Sequence, residues 1–378
     1  MRRWGAVVVC AVWALLAGAG PARAARIVAV GAGEQPAAVT DAAGTLHVLW
    51  RDPAAPNVPV RYCRLPAGGA GCVPVEIAHG AAWAPQLMQR PADGALIVVY
   101  SGNDGATMEL GSVDGGATWT APRPVGTGLG NVYDAELTPD GSAIDTVAFS
   151  VTDLRFQRVP LAGGVEARVV SLGPPRSVRA PRVTHLPDGR PVVAAQYGAH
   201  VLGTRIPARG ADPDIPGVWG SPRALRRLPR AATSDADSAP SGTWLLSIAE
   251  RQGAGYPIRI WRWRASGFTR PRTTGALRRR APRTLGSGRP GPNGVALDVD
   301  PAGRLHAAWL RPPTRSGAHR IAYRRAGRRG FGRTVVVSAG SGTFAEPDQL
   351  RVAANAAGRA WLVWSTHDGR IRARALGA

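Results

Sequence analysis

The chain has 378 residues, of which 47 are basic and 25 acidic, giving a formal net charge of +22 at pH 7 with 44% hydrophobic residues. Every basic residue is arginine, and a balance this positive draws polyanions electrostatically. Beyond the N-terminal region no stretch approaches the ~20 continuous apolar residues of a membrane helix, so a membrane-spanning protein is excluded as an expectation.

In chain order, Arg2 and Arg3 precede an apolar run from Trp4 to Leu16, and Ala22-Arg23-Ala24 supplies a small-residue cleavage site. This pattern predicts a secretory leader over residues 1–24, a secreted product, and one domain over 25–378. Cys10 falls within the leader, which leaves Cys63 and Cys72 in RYCRLPAGGAGC. In an oxidising compartment the two are expected to pair across a hairpin. Two thiols without a nearby histidine make a poor zinc cage, so no metal is expected, and no cofactor motif is present.

A glycine turn followed by an apolar strand ending in an aromatic then recurs. Gly44 leads to Trp50, Gly94 to Tyr100, Gly303 to Trp309 and Gly358 to Trp364, while Gly141, Gly189 and Gly242 open strands with looser endings. A strand precedes each glycine (PQLMQRP, AELTP, RVTHLP, LDVDP). An outer strand mixing arginine and apolar residues follows each aromatic (VRYCRL, LRFQRV, IRIWRWR, HRIAYRR, RIRARAL). Such alternation suits a sheet with one solvated face. Four strands repeated radially are the signature of an all-β propeller. Seven blades are favoured, with six as the alternative. The last repeat lacks a fourth strand, and Arg26-Ile27-Val28-Ala29-Val30 is expected to close the ring there.

In the second repeat the outer hairpin reads Ser112-Val113-Asp114-Gly115-Gly116-Ala117-Thr118-Trp119. This octet resembles the Asp-box, the S-x-D-x-G-x-T-W hairpin of sialidases and other proteins with BNR repeats. The resemblance implies a sialidase-like β-propeller whose boxes lie on the outer edge, away from the ligand. Asp114 then serves as a turn-former accepting backbone N–H groups, with Gly115 and Gly116 at positive φ, rather than as a catalytic acid. Trp119 is expected to lie flat on a neighbouring strand. Phe268, Phe331 and Cys72 occupy the Trp119 position in other repeats.

Propellers bind at one face, through loops that enter the innermost strands and loops that follow the second strands. Those places hold Glu34, Arg51, Tyr133, Asp134, Glu136 and Arg182 in the first half of the chain. In the second half they hold Tyr197, Glu250, Arg251, Arg311, Glu346 and Asp348. Together they predict a polar central pocket suited to a sugar or an anion. His47 and His306 occupy the same slot of two repeats, LHVLW and LHAAW, and read as framework. Asp298 and Asp300 belong to a strand with polar alternation.

The sialidase resemblance implies an arginine triad, a Tyr–Glu nucleophile pair and an Asp acid–base. Arg51, Arg182, Arg251 and Arg311 could supply the arginines, and Tyr133 or Tyr197 with Glu136 or Glu250 the pair. The family's Arg-Ile-Pro motif is missing from the first inner strand, where Glu34-Gln35-Pro36 stands; Arg205-Ile206-Pro207 lies in an outer strand. The expected function is therefore a non-catalytic binding or scaffold module, monomeric, for a glycan or other anionic surface polymer. An exo-sialidase-like glycoside hydrolase or a lyase is the competing class. Basic segments at 222–230, 276–283 and 324–333 suggest a polyanion patch or solvated edge turns. Nucleic acid is not the expected partner, since these segments lack interleaved aromatics.

Overall fold

The computed structural model describes residues 26–149, 153–161, 167–173, 179–197, 201–227, 232–239, 242–249, 258–264, 267–268, 272–273, 295–311, 318–327, 330–341, 350–366 and 368–376. The predicted leader lies outside these residues. No described helix is long and apolar enough to cross a membrane.

After β1 (Ile27–Ala32) the chain lays down seven antiparallel sheets. Blade 1 is β2 (Glu34–Thr40), β3 (Leu46–Arg51), β4 (Val60–Leu65) and β5 (Val75–Ala78). Blade 2 is β6 (Gln86–Gln89), β7 (Leu96–Ser101), β8 (Thr107–Ser112) and β9 (Arg123–Gly126). Blade 3 is β10 (Val132–Leu137), β11 (Ala143–Phe149), β12 (Leu154–Pro160) and β13 (Val169–Ser171). Blade 4 is β14 (Arg179–His185), β15 (Pro191–Tyr197), β16 (Val201–Arg205) and β17 (Arg223–Arg227). Blade 5 comprises β18 (Ala232–Ala239), β19 (Gly242–Ala249), β20 (Ile258–Arg264), β21 (Gly267–Phe268) and β22 (Arg272–Thr273). Blade 6 comprises β23 (Val295–Val299), β24 (Leu305–Arg311), β25 (Ala318–Gly327), β26 (Gly330–Phe331) and β27 (Val335–Ser341). Blade 7 is β28 (Leu350–Ala354), β29 (Ala360–Ser365) and β30 (Arg370–Leu376), with β1 on its outside.

The first strands β2, β6, β10, β14, β18, β23 and β28 contact one another in that order, and β28 returns to β2. They form the inner wall of a ring.

Two expectations need correcting. The blades are not uniformly four-stranded: β20 and β25 each pair with two short outer segments, so blades 5 and 6 have five strands. Nor does an N-terminal strand by itself shut the ring. β1 pairs with β30 from Ile27–Arg374 to Ala32–Arg370. The junction is made as much by the inner parts of blades 7 and 1: Thr40 Oγ1 donates to Ala353 O (3.1 Å) and Asn355 Nδ2 to Asp41 O (2.9 Å). The sequence pointed to β1 because an unfinished sheet is visible in the repeat, whereas packing between distant blades is not.

The core lies between the blades. Second strands are apolar on both faces, as β3, β7 and β29 show with nearly unbroken burial, so each feeds two neighbouring blades. Leu46, Val48 and Trp50 join Ala353, Trp361 and Val363 of blade 7, while Leu49 joins Leu87, Leu96 and Val98 of blade 2. Outer strands such as β4 and β8 alternate between buried and partly exposed residues. Turns close strands one and two, where Gly44, Gly94, Gly141, Gly189, Gly303 and Gly358 have φ between +68° and +86°. A β-carbon strains that conformation.

Cys63 and Cys72 form the disulfide, with Cα atoms 6.0 Å apart. Cys63 belongs to the core between blades 7 and 1, and Cys72 packs against that core. The Asp114 turn works as a local clamp. One carboxylate oxygen accepts from Ser112 Oγ (2.8 Å), Ala117 N (2.9 Å) and Thr118 N (2.9 Å). The Thr118 hydroxyl, backbone donors and Ser112 hold the Asp114 carboxyl well below its ordinary range. Trp119 packs against the core between blades 1 and 2 and meets the Tyr62 ring edge-on, at 4.9 Å and 71°. The side chains of Phe268 and Phe331 lie outside the described set.

Candidate functional site

The inner strands enter the ring at one face, here called the mouth, and three of them carry a bulge there. Register shifts occur between Glu34 and Ala37, between Val132 and Asp134, and between Arg179 and Arg182. Gln35 and Ala180, inside two of these bulges, take φ of 54° and 45°. Bulges turn a strand and re-aim its side chains, and are common beside binding sites. These three displace Glu34, Tyr133 and Arg182 from the plain pleat.

Around the mouth the result is a continuous run of side chains. Arg51, at the end of β3, donates through Nε to Glu34 Oε1 (3.0 Å) and through Nη1 to Ala82 O (2.9 Å). Its guanidinium stands 6.0 Å from the ring of Trp83, in the loop entering blade 2. Trp83 stacks on Tyr133 of blade 3 at 6.4 Å and 29°. Arg182 of blade 4 lies over Tyr133 at 5.1 Å and contacts Asp235 of blade 5 at 3.1 Å. Trp83 is partly exposed, and its Nε1 has no hydrogen-bond partner.

Deeper in, carboxylates stitch each inner strand to the next. The channel-facing edge of a first strand has no strand partner, and its buried N–H groups need acceptors. Asp134 accepts from Val183 N (2.9 Å), Asp235 from Leu297 N (2.7 Å), Asp237 from Val299 N, and Asp298 from Ala354 N (2.6 Å). Every stitch runs from one blade to its successor. Burial pushes Asp134 up to about 7 despite Arg182, and it raises Asp235 in the same way. Burial, with Asp298 and Glu136 nearby, drives Asp237 well above its ordinary range, and burial raises Asp298 too.

A second buried network leaves this wall through blade 3. Arg158 forks onto Asp145 with two contacts of 2.7 Å, and His185 Nε2 meets the same carboxylate at 2.9 Å. His185 Nδ1 lies 3.6 Å from Glu136, which accepts from Ser238 Oγ at 2.6 Å. Burial alone would lower His185, but hydrogen bonds to Asp145 and Glu136 outweigh it and raise it to about 9. Asp145 is fully buried and stays below its ordinary range because Arg158 and His185 overcome the cost of burial.

Of the sequence-predicted residues, Glu34, Arg51, Tyr133 and Arg182 meet at the mouth, with Asp134 and Glu136 on the wall. Tyr197 packs against the core between blades 3 and 4, with its ring beside Gly203. Arg311 ends β24, paired with Arg320. Glu250, Arg251, Glu346 and Asp348 lie outside the described residues. Sequence reading missed Trp83, Asp235, Asp237 and His185; the alternation in Ser234-Asp235-Ala236-Asp237-Ser238 was the available signal. His47 and His306 serve the framework, each held by a tyrosine hydroxyl (Tyr62 at 2.6 Å, Tyr323 at 2.7 Å). No group of three or more His, Cys, Asp or Glu among the described residues could hold a metal ion.

No family model and no curated protein sequence matches the chain. Among solved structures it is similar to the β-propeller domain of Cps50 (Swd1) from Myceliophteria thermophila. The TM-score is 0.55 with 13% identity, covering 93% of this chain and 100% of that one. It is also similar to AofleA from Arthrobotrys oligospora, with TM-score 0.51 and 11% identity over 84% of this chain and 90% of that one. An intramolecular trans-sialidase from Ruminococcus gnavus aligns with TM-score 0.47 and 7% identity over 91% of this chain and 94% of that one. At these identities the likeness defines a class by fold alone, and the class is the β-propeller.

Proposed function

We propose that this chain, exported by its residue 1–24 leader, is a monomeric β-propeller that binds a surface glycan at the mouth without cleaving it. The observation that carries the reading is the run Arg51–Trp83–Tyr133–Arg182. Aromatic faces stack on the apolar faces of sugar rings, and flanking guanidiniums and carboxylates give the hydroxyl groups donors and acceptors. The Asp-box-like turn of blade 2 agrees with a sialidase-like ancestry. The arginines that a sialidase would commit to substrate are engaged here, Arg51 by Glu34 and Arg182 by Asp235. Tyr133 lies beneath the Arg182 guanidinium.

The competing hydrolase reading has one observation in its favour: Asp134, raised to about 7, could donate a proton at neutral pH. A glycan array and a panel of fluorogenic glycosides separate the two. Retention on glycans without turnover, lost in Trp83→Ala, is expected. Turnover abolished by Asp134→Asn or Tyr133→Phe would make the protein an enzyme.

A further inference from the structure

The net charge is unevenly distributed round the ring. Residues 26–189 hold 12 arginines against 15 carboxylates, whereas residues 190–378 hold 32 against 10. The difference has a local geometry on the underside, the face opposite the mouth, where strands one and two turn. In blades 2 and 4 the arginine at this turn is neutralised within it: Arg90 Nε donates to Asp93 (2.9 Å) and Arg190 Nε to Asp188 (3.0 Å). In blades 6 and 7 the arginine after the turn glycine also reaches out of its blade. Arg304 donates to the Ala356 carbonyl of blade 7, and Arg359 to the Ala43 carbonyl of blade 1 at 2.8 Å.

A carbonyl orients a guanidinium but does not cancel its charge. Arg304 is also ion-paired with Asp300 in its own turn at 2.6 Å, and burial holds His306, which meets the same carboxylate at 3.1 Å, below its ordinary range, so the uncompensated charge of the arc rests on its other arginines. A β-carbon placed on Gly358 would lie 3.0 Å from Arg325 Nη1 and 3.1 Å from Arg304 Nη1. Two guanidiniums therefore converge over one turn. Arg64 of blade 1 continues the arc, since it stands beside His47 in the register that Arg325 holds beside His306. Among the described residues, no ion pair to a carboxylate is made by Arg64, Arg325 or Arg359.

We propose that this underside arc, Arg325, Arg359 and Arg64 beside the ion-paired Arg304, is a second binding surface, for a glycan chain bearing sulfate or phosphate esters. Guanidinium forks match the oxygens of such esters, and a repeating anion can span blades 6, 7 and 1 in one pass. Single-stranded nucleic acid fits the surface less well, because it needs aromatic stacking platforms. The exposed large apolar side chains among the described residues are all aliphatic: Val73, Val75, Val113, Ile215, Val335 and Val336. The surface stands independently of the glycan reading of the mouth.

The test titrates the full chain with dextran sulfate, phosphorylated mannan, neutral dextran, and single- and double-stranded DNA at rising salt. The side chains of Arg64 and Arg325 make no described hydrogen bond, so Arg64→Gln/Arg325→Gln removes charge without removing a stitch. That double variant should weaken binding to dextran sulfate or phosphomannan at least tenfold, and should flatten the log–log salt dependence by about 1 per arginine. Arg90→Gln/Arg190→Gln, which changes net charge equally, should alter binding less than twofold, and Trp83→Ala not at all. Preference between the two anionic glycans identifies the ester. Equal losses in both double variants would reduce the effect to net charge and overturn the surface. Tighter binding to either DNA would overturn the ligand class. Loss in Trp83→Ala would place anionic binding at the mouth, overturning this proposal while leaving that site intact.

Discussion

Neighbouring blades are stitched in two chemically opposite ways. On the inner wall, Asp134, Asp235, Asp237 and Asp298 accept backbone N–H groups of the next blade. On the underside, Arg304 and Arg359 donate to carbonyls of the next blade. Both kinds satisfy polar backbone between sheets that share no strand pairing. The carboxylates are half-buried and their charge is negotiable, as the raised Asp134 shows. The guanidiniums lie in reach of solvent and are always charged. The comparison teaches that one ring can place a titratable seam on its inside and a permanently charged one beneath it.

The inner seam should break hardest. Arg182→Met removes the guanidinium nearest the partly buried Asp134 and Asp235, leaving only the more distant Arg351, and should cost about 3 kcal/mol. Urea unfolding measures it, and a loss below about 1 kcal/mol would mean that the guanidinium does not hold these carboxylates.

The inner seam should also answer to pH. His185 is raised from 6.5 to about 9, so its contribution is complete below pH 6.5 and disappears as pH climbs through 9. Asp134 is raised from 3.8 to about 7, so its contribution is complete below 3.8 and is lost as pH rises towards 7. Both act in the same sense, at about 1.4 kcal/mol per unit of displacement. Melting temperature should therefore fall between pH 5 and pH 9. Asp134→Asn should flatten the lower part of that decline, and His185→Gln the upper part. Asp145, held low, works oppositely, and its contribution disappears as pH falls below 3.8. A melting temperature that rises from pH 5 to pH 9 would contradict the assignment.

Removing the Cys63–Cys72 bridge by a double serine substitution should cost about 2–3 kcal/mol for so short a loop. Because both cysteines sit against the core joining blades 7 and 1, the loss should appear as earlier hydrogen exchange at that junction. The smallest effect belongs to the underside: Arg359→Gln should cost no more than about 1 kcal/mol, since the lost bond is half-solvated. Calorimetry that found it as damaging as Arg182→Met would erase the distinction between the two seams.

Much of the ring was legible in the sequence because its punctuation is local. A turn glycine at positive φ followed six residues later by an aromatic states one repeat, and copies of it state the architecture. Glu34, Arg51, Tyr133 and Arg182 could be picked out because they sit at fixed distances from that punctuation. Trp83 escaped because it lies in a loop before Pro85, where an aromatic has no periodic partner to mark it. Asp235 and Asp237 escaped because Ala232–Ala239 reads as polar loop by strand propensity. That strand is held by what its neighbours in the ring offer its carboxylates, N–H groups from blade 6 and the Arg182 guanidinium from blade 4, and a strand specified from outside cannot be read from within. Tyr197, also at the end of a second strand, packs against the core between blades 3 and 4.

With no lysine in the chain, none of the positive surface can be silenced by acetylation, and no guanidinium releases its proton at any physiological pH. Whatever rests against the underside can then be regulated only from the other side of the contact. Competing small anions, ionic strength, or enzymatic removal of the partner's own acidic groups are the levers left.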